Sequence, residues 1–187
     1  MPVQKVPREE VVRRLLGVFR AHGYEGASLA MIAEKTGLQK ASLYHLFPGG
    51  KEEMATAVLD SIGAYMEEKV LKPLRGEGSP RERLEAMIEK VSAFYQGGRC
   101  SCLFETLSLG GGDSPFRATI QQAMGAWIEA LARLARDQGA SGAAARDRAS
   151  QVMTTIQGSL VVARCMNEPH AFARALKSLP GILLPDL

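Results

Sequence analysis

Three cysteines in 187 residues are too few, and odd in number, for a disulfide framework. They are expected to be reduced thiols. No apolar run approaches the roughly 20 residues that a membrane helix needs. The opening MPVQKVPREE has no apolar core of a signal peptide, so a cytoplasmic location is expected. Also missing are a convincing alternating strand pattern, a repeat of fixed period and any low-complexity segment. What remains is 46% hydrophobic and 23% charged, which excludes a wholly disordered chain.

The formal net charge of +3 is unevenly spread. Residues 1–51 hold eight Lys/Arg against four Asp/Glu, whereas the remainder is slightly acidic. A basic excess confined to the first quarter favours a polyanion, nucleic acid first, although a solvated face would carry such charges too.

The apolar spacing is helical throughout. Val12, Leu15, Leu16 and Phe19 form a stripe, with Gly23 as its stop. Ser28 caps a short helix burying Leu29, Ile32 and Ala33, and Gly37 interrupts it. A third helix runs from Lys40 to Phe47, and a fourth from Lys51 to Leu71, with Pro73 beyond. Ser79-Pro80-Arg81-Glu82 reads as a capping box with proline in the first turn. The following helix buries Leu84, Met87, Val91 and Phe94 and ends at Gly97-Gly98. A short buried helix is expected within Cys102–Leu109, and a long one from Ser114-Pro115 to Gly139. The last long helix carries Val152, Ile156, Leu160 and Ala163, and a short helix to about Leu179 closes the chain. The expected fold is all-α: an N-terminal helix-turn-helix domain over residues 1–50, then a helical bundle over 51–187, with 51–72 as connector.

Ser28–Lys51 carries the chemistry. Two short amphipathic helices meet at Thr36-Gly37-Leu38-Gln39, the spacing of a helix-turn-helix. Leu38, Leu43 and Phe47 anchor the second helix inward. Gln39, Lys40, Ser42, Tyr44 and His45 occupy its remaining surface with hydrogen-bonding groups suited to a major groove. No acid occurs from Lys35 through Gly50, where a carboxylate would repel phosphates.

This segment resembles the tetracycline-repressor (TetR) family of bacterial regulators over residues 10–58. The matching positions are Ser28, Ile32-Ala33, Gly37, Lys40-Ala41-Ser42, Leu43-Tyr44, Phe47 and Lys51-Glu52. The ending Pro48-Gly49-Gly50-Lys51-Glu52-Glu53 resembles the LmrA/YxaF-like subgroup. Leu46 stands where many members have histidine, and the spacer before Lys51 is one residue longer than usual.

The resemblance implies a DNA contact set of Ser28, Thr36, Gln39, Lys40, Ala41, Ser42, Tyr44, His45 and Lys51. Lys40 and Lys51 would neutralise phosphates, the latter at a helix start, where free N–H groups favour an anion. Ser28 and Tyr44 would bond phosphate oxygens. Gln39, Ser42 and His45 would read base edges, and Thr36 could contact either or merely cap. Met87, Phe94, Phe104, Met124, Trp127 and Met153 could line a pocket for a small apolar effector, or form plain core. Gly125, Ala126, Ala130, Gly158 and Ala163 would let the last two long helices approach a second copy. A homodimer on a palindromic operator supplies the specificity that one small head lacks.

The expected function is a repressor released from DNA by a small ligand. The other reading is a thiol- or metal-responsive regulator using Cys100 and Cys102. No metal site or cofactor is expected, since four zinc ligands are not at hand. Gly49-Gly50-Lys51 fails as a P-loop and Gly110-Gly111-Gly112 as a dinucleotide fingerprint, for want of spacing or strand context. No catalytic spacing appears, so an enzyme is not expected.

Overall fold

The computed structural model describes residues 6–109 and 114–185, so the Gly110–Gly112 run lies outside the described residues. Their regular structure is helical, as expected: α1 (Arg8–Gly26), α2 (Leu29–Thr36), α3 (Lys40–Leu46), α4 (Gly50–Met66), α5 (Lys72–Arg75), α6 (Pro80–Phe94), α7 (Leu103–Ser108), α8 (Arg117–Asp137), α9 (Gly142–Cys165) and α10 (His170–Leu183). Two compact units emerge. The first comprises Met1–Ala64 with Leu103–Arg117, and the second Tyr65–Cys102 with Ala118–Leu187.

In the first unit, Val11, Leu15 and Phe19 of α1, Ile32 of α2, Leu43 and Phe47 form a fully buried core. Full burial of each such side chain contributes about 1.5–3 kcal/mol. Gly23 is not the stop expected of it. Its φ of +67° kinks α1, which then continues to Gly26. A Cβ there would stand 3.0 Å from the Thr106 carbonyl oxygen, so glycine provides both the turn and the close approach of α7. Tyr24, just past the kink, meets the Phe116 ring edge-on at 5.0 Å.

In the second unit, Ser79 caps α6 with the full reciprocal pattern: its Oγ accepts from the Glu82 N–H, and the Glu82 carboxylate accepts from the Ser79 N–H. Pro73, expected beyond a helix end, and Pro180, just past the expected end at Leu179, are both absorbed into helices. Pro73 lies in α5, which follows directly on a π-helical turn over Glu67–Leu71. The wider turn lets the Lys72 N–H reach the Glu67 carbonyl. Pro180 lies inside α10, three residues before its end, so the closing helix reaches Leu183. Helices α9 and α10 pack along one another. Gly98 passes so close to α10 that a Cβ would sit 2.6 Å from the Cβ of Phe172. The Tyr95 ring meets Phe172 edge-on at 5.8 Å and stands against Phe94 at 5.0 Å.

Candidate nucleic-acid interface

The recognition geometry begins at two caps. The Ser28 hydroxyl oxygen accepts from the Met31 N–H at 3.2 Å and starts α2. Gly37, at φ +71°, ends α2 and returns its N–H to the Ala33 carbonyl. From there α3 divides cleanly. Leu43 and the following Phe47 are fully buried, while Gln39, Lys40, Ala41, Ser42, Tyr44 and His45 are exposed. The five positions expected on this face, Gln39, Lys40, Ser42, Tyr44 and His45, are among those exposed. Leu38 is only half-buried.

Thr36 takes the capping alternative rather than the contact one. It is fully buried, and its hydroxyl donates to the Ile32 carbonyl at 2.7 Å. It offers nothing to an outside ligand and serves the end of α2 instead.

Lys51 is half-buried rather than free. Its Nζ donates to the Tyr24 carbonyl at 2.9 Å and lies 4.4 Å from the centre of the Tyr24 ring. The start of α4 is also less open to an anion than its position suggested. The Gly49 N–H is already bonded to the Glu53 carboxylate at 2.7 Å, and Glu52 stands in the same turn. Tyr44 is 45% exposed, and its ring rests against Gly50, where a Cβ would come to 3.4 Å. Gly50 has φ +67°, which explains why glycine stands there.

Two residues beyond the expected set hold this face. Arg14 of α1 donates from Nη1 to the Thr36 carbonyl and from Nε to Glu10, both at 2.7 Å. The signal was present as a Glu10/Arg14 pair at i,i+4 spacing. Hydrogen bonds from Arg13 and then Arg14 hold the Glu10 carboxyl at a pKa of about 2, well below its ordinary 4.5. Arg8 places its guanidinium 4.8 Å from the centre of the Phe47 ring, adding another cation to the head.

Residues 15–58 match the family described as bacterial regulatory proteins, tetR family. Residues 80–178, more than half of the chain, match the transcriptional regulator LmrA/YxaF-like C-terminal domain. The chain belongs to the TetR family. It is a DNA-binding transcriptional regulator of that family, whose members are regulators rather than enzymes. Over 183 residues it is 24% identical to the HTH-type transcriptional regulator LmrA of Bacillus subtilis, covering 94% of this chain and 96% of that one. YxaF of the same organism is 24% identical over 161 residues, 83% of each chain. Among solved structures, a TetR regulator from Legionella pneumophila superimposes with a TM-score of 0.81 at 17% identity, covering 96% of this chain and 97% of that one. CifR, a TetR-family regulator solved as a cysteine mutant with 26-bp operator DNA, gives 0.74 at 23% identity, covering 95% and 97%.

Five of the six apolar candidates lie in the second unit of this TetR-family chain. Met87, Trp127 and Met153 are buried in the second unit, and Phe94 and Met124 are half-buried there. Phe104 belongs instead to the first unit, on α7. Trp127 is 1% exposed, yet its indole N–H meets no acceptor among the described residues. The small residues expected at a dimer face also split. Ala130 and Ala163 are buried within their own chain, whereas Gly158 is not fully enclosed and Gly125 has open space around it.

The thiol or metal reading is not favoured. Cys102 is buried and accepts a hydrogen bond from the Tyr95 hydroxyl, Cys100 is half-buried and Cys165 is exposed. Among the described residues, no group of three His, Cys, Asp or Glu side chains is placed to hold a metal ion. Nor is any helix there long and apolar enough to cross a membrane.

Proposed function

We propose that this TetR-family regulator is a repressor that binds a palindromic operator as a homodimer and leaves it when a small apolar effector binds. The acid-free exposed face of α3 carries the DNA part of this reading. In it, Gln39, Ser42 and His45 read base edges, with Ala41 making close apolar contact. Lys40, Tyr44 and Ser28 bind phosphates and fix register. Lys51 spends one of its three donors on Tyr24 and keeps two for a phosphate. CifR, seen on operator DNA, supports the same use of a like fold.

In this reading the dimer forms through α9 together with α8. Val161, Val162 and Met166 are exposed apolar side chains of α9 and its end, which supports a partner there. The effector sits in the second unit, among Met87, Phe94, Met124, Trp127 and Met153.

The deciding experiment is a salt-series titration of DNA from upstream of the protein's own gene against a scrambled duplex, with dimer content followed by sedimentation. Selective binding that falls steeply with salt is expected. Equal, weak binding to both duplexes, and no selectively enriched fragment in a genome-wide selection, would refute it.

A further inference from the structure

A cleft of about 440 Å³ opens in the second unit, between the end of α5 and the outer face of α8. Arg75, Arg133 and Arg136 stand around it, and Ala126 and Ala130 give it a small apolar floor. Its two acids are already engaged. Glu129 accepts from Arg136 at 2.6 Å, and Asp137 accepts from Arg83 at 2.9 Å. Arg75 is paired outward with Glu67 at 2.6 Å. The Glu129 carboxyl is held below its usual range, first by the Arg136 hydrogen bond and also by the charge of Arg146.

This leaves an imbalance of cations. Arg133 has no carboxylate partner among the described residues, and Arg146 adds a second charge nearby. A planar guanidinium with free donors, beside acids that are already neutralised, matches an oxyanion. The alanine floor leaves room for a compact apolar body. We infer that this cleft binds a small organic oxyanion, a carboxylate or phosphate monoester, with Arg133 as its principal ligand. The site is separate from the apolar effector set; since Ala126 and Ala130 form its floor, it requires that the dimer proposed above leave this face of α8 open and meet through α9.

The test titrates the full-length protein calorimetrically with benzoate, phenyl phosphate and neutral benzyl alcohol. At least one anion is expected to bind saturably, and benzyl alcohol is expected to show no saturation. Arg133→Gln weakens the anion at least about tenfold, the scale of one charge-assisted hydrogen bond removed. Arg174→Gln, on α10 and paired with Glu168, leaves binding unchanged. Arg133 is exposed, so its replacement leaves the fold intact, which the thermal melt verifies. No saturation by either anion up to roughly 10 mM overturns the site. So does anion binding that Arg133→Gln leaves unaltered, which would assign it to the general basic surface.

Discussion

The guanidinium of Arg14 donates to the backbone carbonyl of Thr36 at 2.7 Å, joining the middle of α1 to the last residue of α2 across 22 positions of chain. That carbonyl is one of the orphan acceptors at a helix end, immediately before the turn into the recognition helix. The bond therefore anchors the end of α2 just before the turn into α3.

Arg14→Ala is expected to destabilise the protein by about 1–2 kcal/mol, the net worth of a charged hydrogen bond with part of its stem packing. At this chain length that corresponds to a melting point lower by roughly 2–8 °C. Operator affinity should fall further than stability alone explains, with Arg14→Lys restoring part of it. A melt and a DNA titration that are both unchanged would show that the turn holds itself.

Glu10 ties the same clamp to pH. Its folded pKa of about 2 lies below the ordinary 4.5, so the unfolded chain takes up its proton first as pH falls. The stability it confers is complete above about pH 4.5 and is lost as pH falls towards 2. The stability gap between the wild type and Glu10→Gln should hold steady from about pH 7 to 4.5, then narrow. Denaturant titrations across that range measure it, and a gap independent of pH would contradict the assignment.

Lys40→Gln removes an exposed cation from the recognition helix and little else. Its melting temperature should stay within about 1 °C, because such surface changes cost little. The slope of log affinity against log salt should flatten by about 0.9 for each phosphate no longer neutralised, twice per dimer. Tyr44→Phe should weaken operator and scrambled duplex alike, since a bond to phosphate carries no sequence information. An unchanged slope, or a weakening confined to the operator, would reassign these two residues.

Gly98→Ala is expected to be among the most damaging single substitutions. At φ +95° any side chain is strained, and the new Cβ would meet Phe172 at 2.6 Å and the Pro169 carbonyl at 3.1 Å. Strain and overpacking together predict a loss of about 3 kcal/mol or more, read by thermal unfolding or by a fall in soluble protein. Gly63→Ala, inside α4 with open space around it, serves as the control and is expected to melt no lower than the wild type.

Local rules carry far in this sequence where the determining partner is also local. The Ser79/Glu82 box, the Ser28 cap and the Gly37 turn each depend on groups within a turn or so of helix, and each is legible. The inward and outward halves of α3 are legible for the same reason: a helix of two turns has one apolar side. Other features depend on distant chain. Gly23 reads as a stop because glycine ends helices, but α7, arriving from far along the sequence, makes it a kink. Thr36 reads equally as a contact or a cap, and only the packing beneath the turn, which takes it inside, decides for the cap. Lys51 reads as free, although the Tyr24 carbonyl stands beside it in the fold. Phe104 groups with the bundle on apolar character alone, which says nothing of the unit that buries it.

The recognition unit takes part of its interior from residues 103–117. It is consequently not a detachable cassette. A fragment ending at Ala64 would leave the α1 surface that receives α7 bare and the Tyr24 ring without Phe116. Anyone grafting this reading head onto another regulator must transplant two stretches of sequence, not one. Natural exchange of operator specificity by recombination would need crossovers on each side of the intervening segment Tyr65–Cys102, or an acceptor whose own α7 already fits.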